Sequence, residues 1–180
     1  MVTFAVPDKL TAEEIRTIRR KLGLTRAEFA RLANVSKKTV ERWEAGEREI
    51  GGPIAALVKL LWEYPQMKEE LTVPDKKYPL RLWYMEGSRV CTIIDVDERS
   101  RKVKVHNYTK DYIARAFGKE ENPDFEAYEA FLESRCFPRS RDKMKLTLRE
   151  LDLPFYEPLL IIEKTQGRMA EDDFWLRIER

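Results

Sequence analysis

Ser36-Lys37-Lys38-Thr39-Val40-Glu41-Arg42-Trp43 is the stretch whose residue types and spacing suggest chemistry. That chemistry is recognition of a polyanion, with no catalytic step. On a helix, Lys38 and Arg42 are four apart and share a face, with Lys37 beside them; Val40 and Trp43, three apart, turn the other way. A helix capped by Ser36 presents unbonded amides at the positive end of its dipole, a place suited to phosphate. Thr39 lies in the same first turn. An arginine on the open face can give two hydrogen bonds to guanine in a major groove. Thr25 and Arg26, at the start of the preceding helix, are placed to hold a phosphate backbone.

The elements that must position these side chains are legible. Thr11-Ala12-Glu13-Glu14 fits a capping box, followed by Ile15, Ile18 and Leu22 at helical spacing and Gly23 as a stop. Thr25-Arg26-Ala27-Glu28 is a second box, opening a helix with Phe29, Leu32 and Ala33 inward and Asn34 as a left-handed stop. The third helix runs from Ser36 to about Ala45, with Gly46 after it. Pro53 begins a fourth that carries Ile54, Leu57, Val58 and Leu61 and ends at Tyr64-Pro65. Short helices joined by about three residues predict a helix-turn-helix. A plain bundle with a solvated basic face has the same composition, but caps, turn and face assignment agree on the first reading.

The stretch LTRAEFARLANVSKKTVERWEAGE resembles the Xre/Cro-type helix-turn-helix, including its x-W-E-x-G ending. The following IAALVKLLWEYPQ looks like the fourth helix of antitoxins such as HigA and MqsA. The resemblance covers roughly residues 10–68. It implies a homodimer that binds double-stranded DNA at an inverted repeat, usually an operator of its own genes, with Lys38 and Arg42 reading bases. Many members carry Gln where Arg26 stands, so the backbone contact there departs from the pattern.

Composition sets the frame. The 180 residues are 43% apolar and 37% charged, with a net charge of +2. Residues 1–65 hold 12 Lys/Arg against 9 Asp/Glu and the remainder 22 against 23, so a DNA-binding reading rests on where charges sit and not on their sum. Two cysteines without a CxxC, and one histidine, predict neither a disulfide framework nor a classical zinc site. The opening MVTFAVPDKL has no basic start or long apolar run, so no signal peptide is expected. No apolar run approaches the roughly 20 residues of a membrane span, and a reduced cytoplasmic protein without membrane contact is expected.

An Xre-type domain over residues 9–70, a linker over 71–77 and an α+β domain over 78–180 are predicted. In the last, LRLWYM alternates, Glu86-Gly87-Ser88 can turn into RVCTIIDV, and Asp97-Glu98-Arg99-Ser100 can turn into KVKVHNY, which predicts a three-stranded meander. Helical spacing returns in NPDFEAYEAFLESR and from Met144 to Leu151. EPLLIIEKTQG fits a helix or a strand, and a final strand lies around Trp175. Asp95, Asp97 and His106 are the residues from which a metal or acid–base site would be built. The Asp pair reads instead as a strand-end turn, and His106 shares the face of Lys104, opposite Val103 and Val105. Cys136 has no histidine base near it and reads as a small buried residue. With no glycine-rich phosphate loop either, no catalytic residue, metal or cofactor is expected and the chain is read as no enzyme.

FLESRCFPRSRDKMKLTLRELDL and EPLLIIEKTQGRMAEDDFWLRI look like the small N-terminal subdomain of HipA-like serine/threonine kinase toxins. Arg135, Pro138, Ser140 and Arg141 fit one element of that pattern, and Gly167, Asp173 and Trp175 a second. The kinase core is absent. In three-gene relatives this subdomain is a separate protein that restrains a truncated kinase. The resemblance therefore implies an autorepressing antitoxin whose second domain binds a kinase-like toxin. Trp83, Tyr84, Phe137 and Trp175 are the candidate anchors, with Arg135 and Arg141, because aromatics and arginine dominate interface hot spots. The other reading is a regulator whose second domain dimerises or senses a small ligand.

Overall fold

The computed structural model describes residues 3–180; Met1 and Val2, the start of the stretch read as free of a signal peptide, lie outside the described residues. The chain divides into two compact units, one ending at Val73 and the other spanning Pro74–Arg180. The class is α+β.

The first unit holds β1 (Lys9–Leu10), α1 (Ala12–Lys21), α2 (Arg26–Leu32), α3 (Lys37–Ala45), β2 (Ile50–Gly51), α4 (Pro53–Glu63) and α5 (Met67–Leu71). Both expected capping boxes form, at Thr11/Glu14 and Thr25/Glu28, and Ser36 Oγ accepts from the Thr39 amide. Asn34 takes a left-handed φ of 53° in the turn, and Gly46 one of 75° at the end of α3, where a β-carbon would be strained. Ile15, Ile18, Phe29, Val40, Ala55 and Leu61 are buried in one core. Two features went unread in the sequence. The two-residue strands β1 and β2 pair antiparallel across the helices. Helix α5 follows Pro65, where the last helix of the unit was expected to end, and Met67 packs it on the core.

The second unit holds β3 (Leu80–Glu86), β4 (Arg89–Asp97), β5 (Lys102–Asn107), α6 (Phe125–Ser134), α7 (Met144–Glu150), α8 (Pro158–Thr165) and β6 (Phe174–Glu179). The sheet is fully antiparallel in the order β5-β4-β3-β6. Strand alternation sends Leu80, Leu82, Tyr84, Ile94 and Val96 into a core with α6 and α8. Arg81, Trp83, Ile93 and Asp95 take the opposite face of the sheet. The ambiguous PLLIIEKT segment is a helix, and its Leu159, Ile161 and Ile162 are buried. A bulge between Tyr84 and Met85 leaves Cys91 unmatched in the ladder and packs it into the core. Among the described residues no helix is long and apolar enough to cross a membrane.

Tyr128 in α6 is buried in this core, and among the described residues its hydroxyl has no hydrogen-bond partner. Burial raises its pKa. Removing an unsatisfied hydroxyl costs little, whereas removing the ring leaves a cavity. Tyr128→Phe is expected to melt at or slightly above the parent, and Tyr128→Ala to lose about 3–5 kcal/mol in denaturant titration. A clear loss in the Phe variant would mean the hydroxyl is held by a bond.

Candidate nucleic-acid interface

Helix α3 carries the site. Val40 and Trp43 are buried beneath it, while Lys37, Lys38, Glu41 and Arg42 are exposed on the far side. The structure thus brings Ser36, Lys37, Lys38, Thr39 and Arg42 onto one open surface at the capped end and outer face of α3. Ser36 and Thr39 hydroxyls share a 2.8 Å hydrogen bond that fixes the first turn. Lys37 approaches Glu41 at 3.5 Å and Arg42 approaches Glu47 at 3.6 Å. These are loose exposed pairs worth little, so a phosphate or a base edge can displace the acid. Lys38 is in no ion pair among the described residues.

Thr25 and Arg26 open α2. The Thr25 hydroxyl is engaged in its capping box, accepting from the Glu28 amide at 3.2 Å. Arg26 is tied inward: its Nε donates to Glu44 Oε2 at 2.6 Å, while the side chain remains 50% exposed. The other oxygen of Glu44 accepts from Arg19 Nε at 2.6 Å, and the Glu44 carbonyl accepts from Arg16. Glu44, only 4% exposed, therefore joins α1, α2 and α3 through three arginines. Burial alone would push its carboxyl up, but the hydrogen bonds from Arg19 and Arg26 outweigh it and the pKa is lowered. The sequence reading missed this acid. It could have been found: Val40, Trp43 and Glu44 form a single inward stripe, and a carboxylate on such a stripe requires cationic partners.

The second unit's candidates fall on different surfaces. Neighbours on a strand face opposite ways, so Trp83 and Tyr84 cannot both be anchors. Tyr84 is buried, stacked on Phe174 at 4.9 Å and edge-on to Phe131, with its hydroxyl pKa pushed up to about 12 by burial. Arg135 is also inside. It binds Asp172 through two nitrogens, at 2.7 and 3.0 Å, and reaches the carbonyls of Gly167 and Phe174. Neither is placed to meet a partner, and both are corrected to core residues. Trp83 and Trp175 lie together on the outer sheet face, flanking Met85. The guanidinium of Arg177 covers Trp83 at 4.2 Å, and that of Arg168 lies 5.1 Å from Trp175. Phe137 is half-buried against Tyr156, with Arg141 exposed above its ring.

The residues considered for catalysis are otherwise occupied. Asp95 forms a buried two-pronged pair with Arg81, at 2.6 and 2.8 Å, and accepts from the Lys77 amide. Asp97 closes the β4–β5 turn onto Ser100 and Arg99. Cys136 is buried, and its thiol is pushed up to about 12, away from nucleophilic thiolate.

Comparison with known proteins agrees with the geometry. Residues 15–58 match the helix-turn-helix family model. A 57-residue stretch is 35% identical to Antitoxin HigA-2 of Vibrio cholerae serotype O1, covering 32% of this chain and 55% of that protein. The chain thus spans about half the length of the curated relative it matches. Nothing in these matches extends the HipA-like resemblance of the second unit. Two capped helices at the turn, a third helix with an open basic face and the match over residues 15–58 agree: the first unit is built as a helix-turn-helix.

Proposed function

We propose that this chain is a sequence-specific DNA-binding regulator of the antitoxin type. The observation that carries the reading is the open face of α3, where Lys38 and Arg42 stand side by side above a buried Val40/Trp43 stripe. Arg42 and Lys38 read base edges in the major groove. Lys37, the Ser36 end of α3, and Thr25 with the free end of Arg26 hold phosphates. Two copies bind an inverted-repeat operator. The second unit receives a kinase-like toxin, with Trp83 and Trp175 as anchors on the outer sheet face and Phe137 with Arg141 as a separate contact. That partner is taken from the resemblance of residues 131–178 to the HipA-type subdomain.

The DNA half is tested on a duplex selected from random sequence. Arg42→Ala should lose about 1–3 kcal/mol of specific affinity and relax discrimination at one base pair. Lys37→Ala should weaken all sequences alike and lower the salt slope by about one. If Arg42→Ala bound the selected duplex like the parent, the assigned face would be wrong. The partner half is tested by isolating the tagged full chain from its host. Absence of a kinase-like protein would remove that half and leave the DNA reading standing.

A further inference from the structure

The sheet of the second unit has two edges, β5 and β6, and they offer different things to another strand. Along β6 the main chain of Phe174 and Leu176 turns away from β3. The Phe174 carbonyl accepts from Arg135, and the Leu176 amide donates to the Gln166 carbonyl at 2.7 Å. By the alternation of an antiparallel strand, Ile178 also turns its N–H and C=O outward. Among the described residues nothing takes them. An open groove runs beside them, lined by Ile162, Glu163, Gln166, Leu176, Arg177, Ile178 and Arg180, with Arg180 paired to Glu163 at its far end.

Bare edges are usually blunted by charge, lysine above all. Strand β5 is: Lys102 and Lys104 would oppose each other in an antiparallel pair with a second β5. Strand β6 is not. Arg177 and Glu179 flank Ile178 on the outer face, both held against Trp83, Arg177 by stacking and Glu179 by a 3.0 Å bond from the indole. With Ile178 set opposite Ile178 of another copy, each Arg177 faces the other chain's Glu179. Opposite charges directly across a ladder attract, and like charges repel.

The geometry points to a second copy of this chain as the occupant of this edge, paired β6 to β6 about a two-fold axis. Each Ile178 exchanges its amide and carbonyl with its mate, and the two Arg177–Glu179 crossings fix the register. The Gln166 bond to Leu176 ends the ladder, so the pairing is short. The contact is isologous and closes on itself. Its symmetry suits an inverted repeat, but it does not rest on the DNA reading; it belongs to the second unit and would form in a chain that bound no DNA.

The test is sedimentation velocity of the full chain without DNA, read with amide hydrogen exchange. The parent is expected to dimerise reversibly, with Ile178 amide exchange slowing as concentration rises while that of Leu176, already bonded, stays the same. Arg177→Glu and Glu179→Arg should each raise the dissociation constant roughly tenfold or more, because each sets like charges across the axis twice. An equimolar mixture of the two should recover a dimer, since their reversed charges are complementary. Recovery also excludes misfolding as the cause of the single defects. A monomer at all concentrations, a dimer that leaves Ile178 exchange unchanged, or a mixture no tighter than its components would overturn the pairing. Protection of Ile178 only on adding a different protein would also overturn it and give the edge to that protein.

Discussion

Glu44→Ala is expected to cost the first unit about 3–5 kcal/mol, because it leaves a buried cationic site without its anion. Arg19, whose side chain is 14% exposed, loses the carboxylate it meets at 2.6 Å. Arg26 swings free into solvent. In a thermal melt of the full chain followed by helical circular dichroism, the first-unit transition should fall by more than about 10 °C. DNA affinity should fall as well, since the carboxylate of Glu44 fixes α3 against α1 and α2. Replacing both ends of the buried pair, as Arg19→Met with Glu44→Leu, should recover much of the loss, because no uncompensated charge then remains inside. The pH dependence has a definite sign. The folded pKa of Glu44 lies below its ordinary value of 4.5, so its contribution is complete above that value. It is lost as pH falls through the folded pKa. Acid should therefore loosen the first unit below about pH 4.5, and Glu44→Gln should flatten that part of the profile. A Glu44→Ala variant that melts like the parent would show that the three helices hold without their ionic centre.

Asp95→Ala should have an effect of the same order in the second unit, about 3–5 kcal/mol. Both partners of the Arg81–Asp95 pair are 4% exposed by side chain. The Asp95 hydrogen bonds raise the Arg81 pKa, and a guanidinium keeps its charge even without them, so removing the acid leaves a buried cation unpaired. The pair extends beyond the sheet: Arg81 donates to the Pro74 carbonyl and Asp95 accepts from the Lys77 amide. It therefore clamps the stretch where the second unit begins. Loss of Asp95 should lower the second melting transition and expose Lys76 and Lys77 to trypsin while the parent resists at that point. Cleavage there at the parental rate, with an unchanged melt, would reduce the pair to a passive one.

The first unit was legible because its determinants are local. Thr11, Thr25 and Ser36 cap within three residues of themselves, Asn34 and Gly46 take turns that few other residues accept, and Val40 and Trp43 repeat at the helical period. From these the sequence by itself determined the helix-turn-helix and the exposed face of α3, while the turn residues at Gly87 and Asp97–Ser100 set the meander β3–β5, in which only β5 alternates exposed and half-buried along its whole length. What escaped was non-local. The Arg19–Glu44–Arg26 cluster joins residues 18 and 25 positions apart, and the Arg135–Asp172 pair spans 37. A charged residue in a sequence looks like surface until a distant partner neutralises it. Hence Arg135 was taken for a contact residue although it ties α6 to the start of β6. Tyr84 was misplaced for a simpler reason: Trp83-Tyr84 was read as one patch, while a strand must split it between two faces. The pairing of β6 beside β3, which makes Trp83 and Trp175 neighbours and leaves Ile178 on an open edge, depends on where the chain returns after α8. Spacing along the sequence carries no record of that return; only packing of α6 and α8 on one face of the sheet decides it.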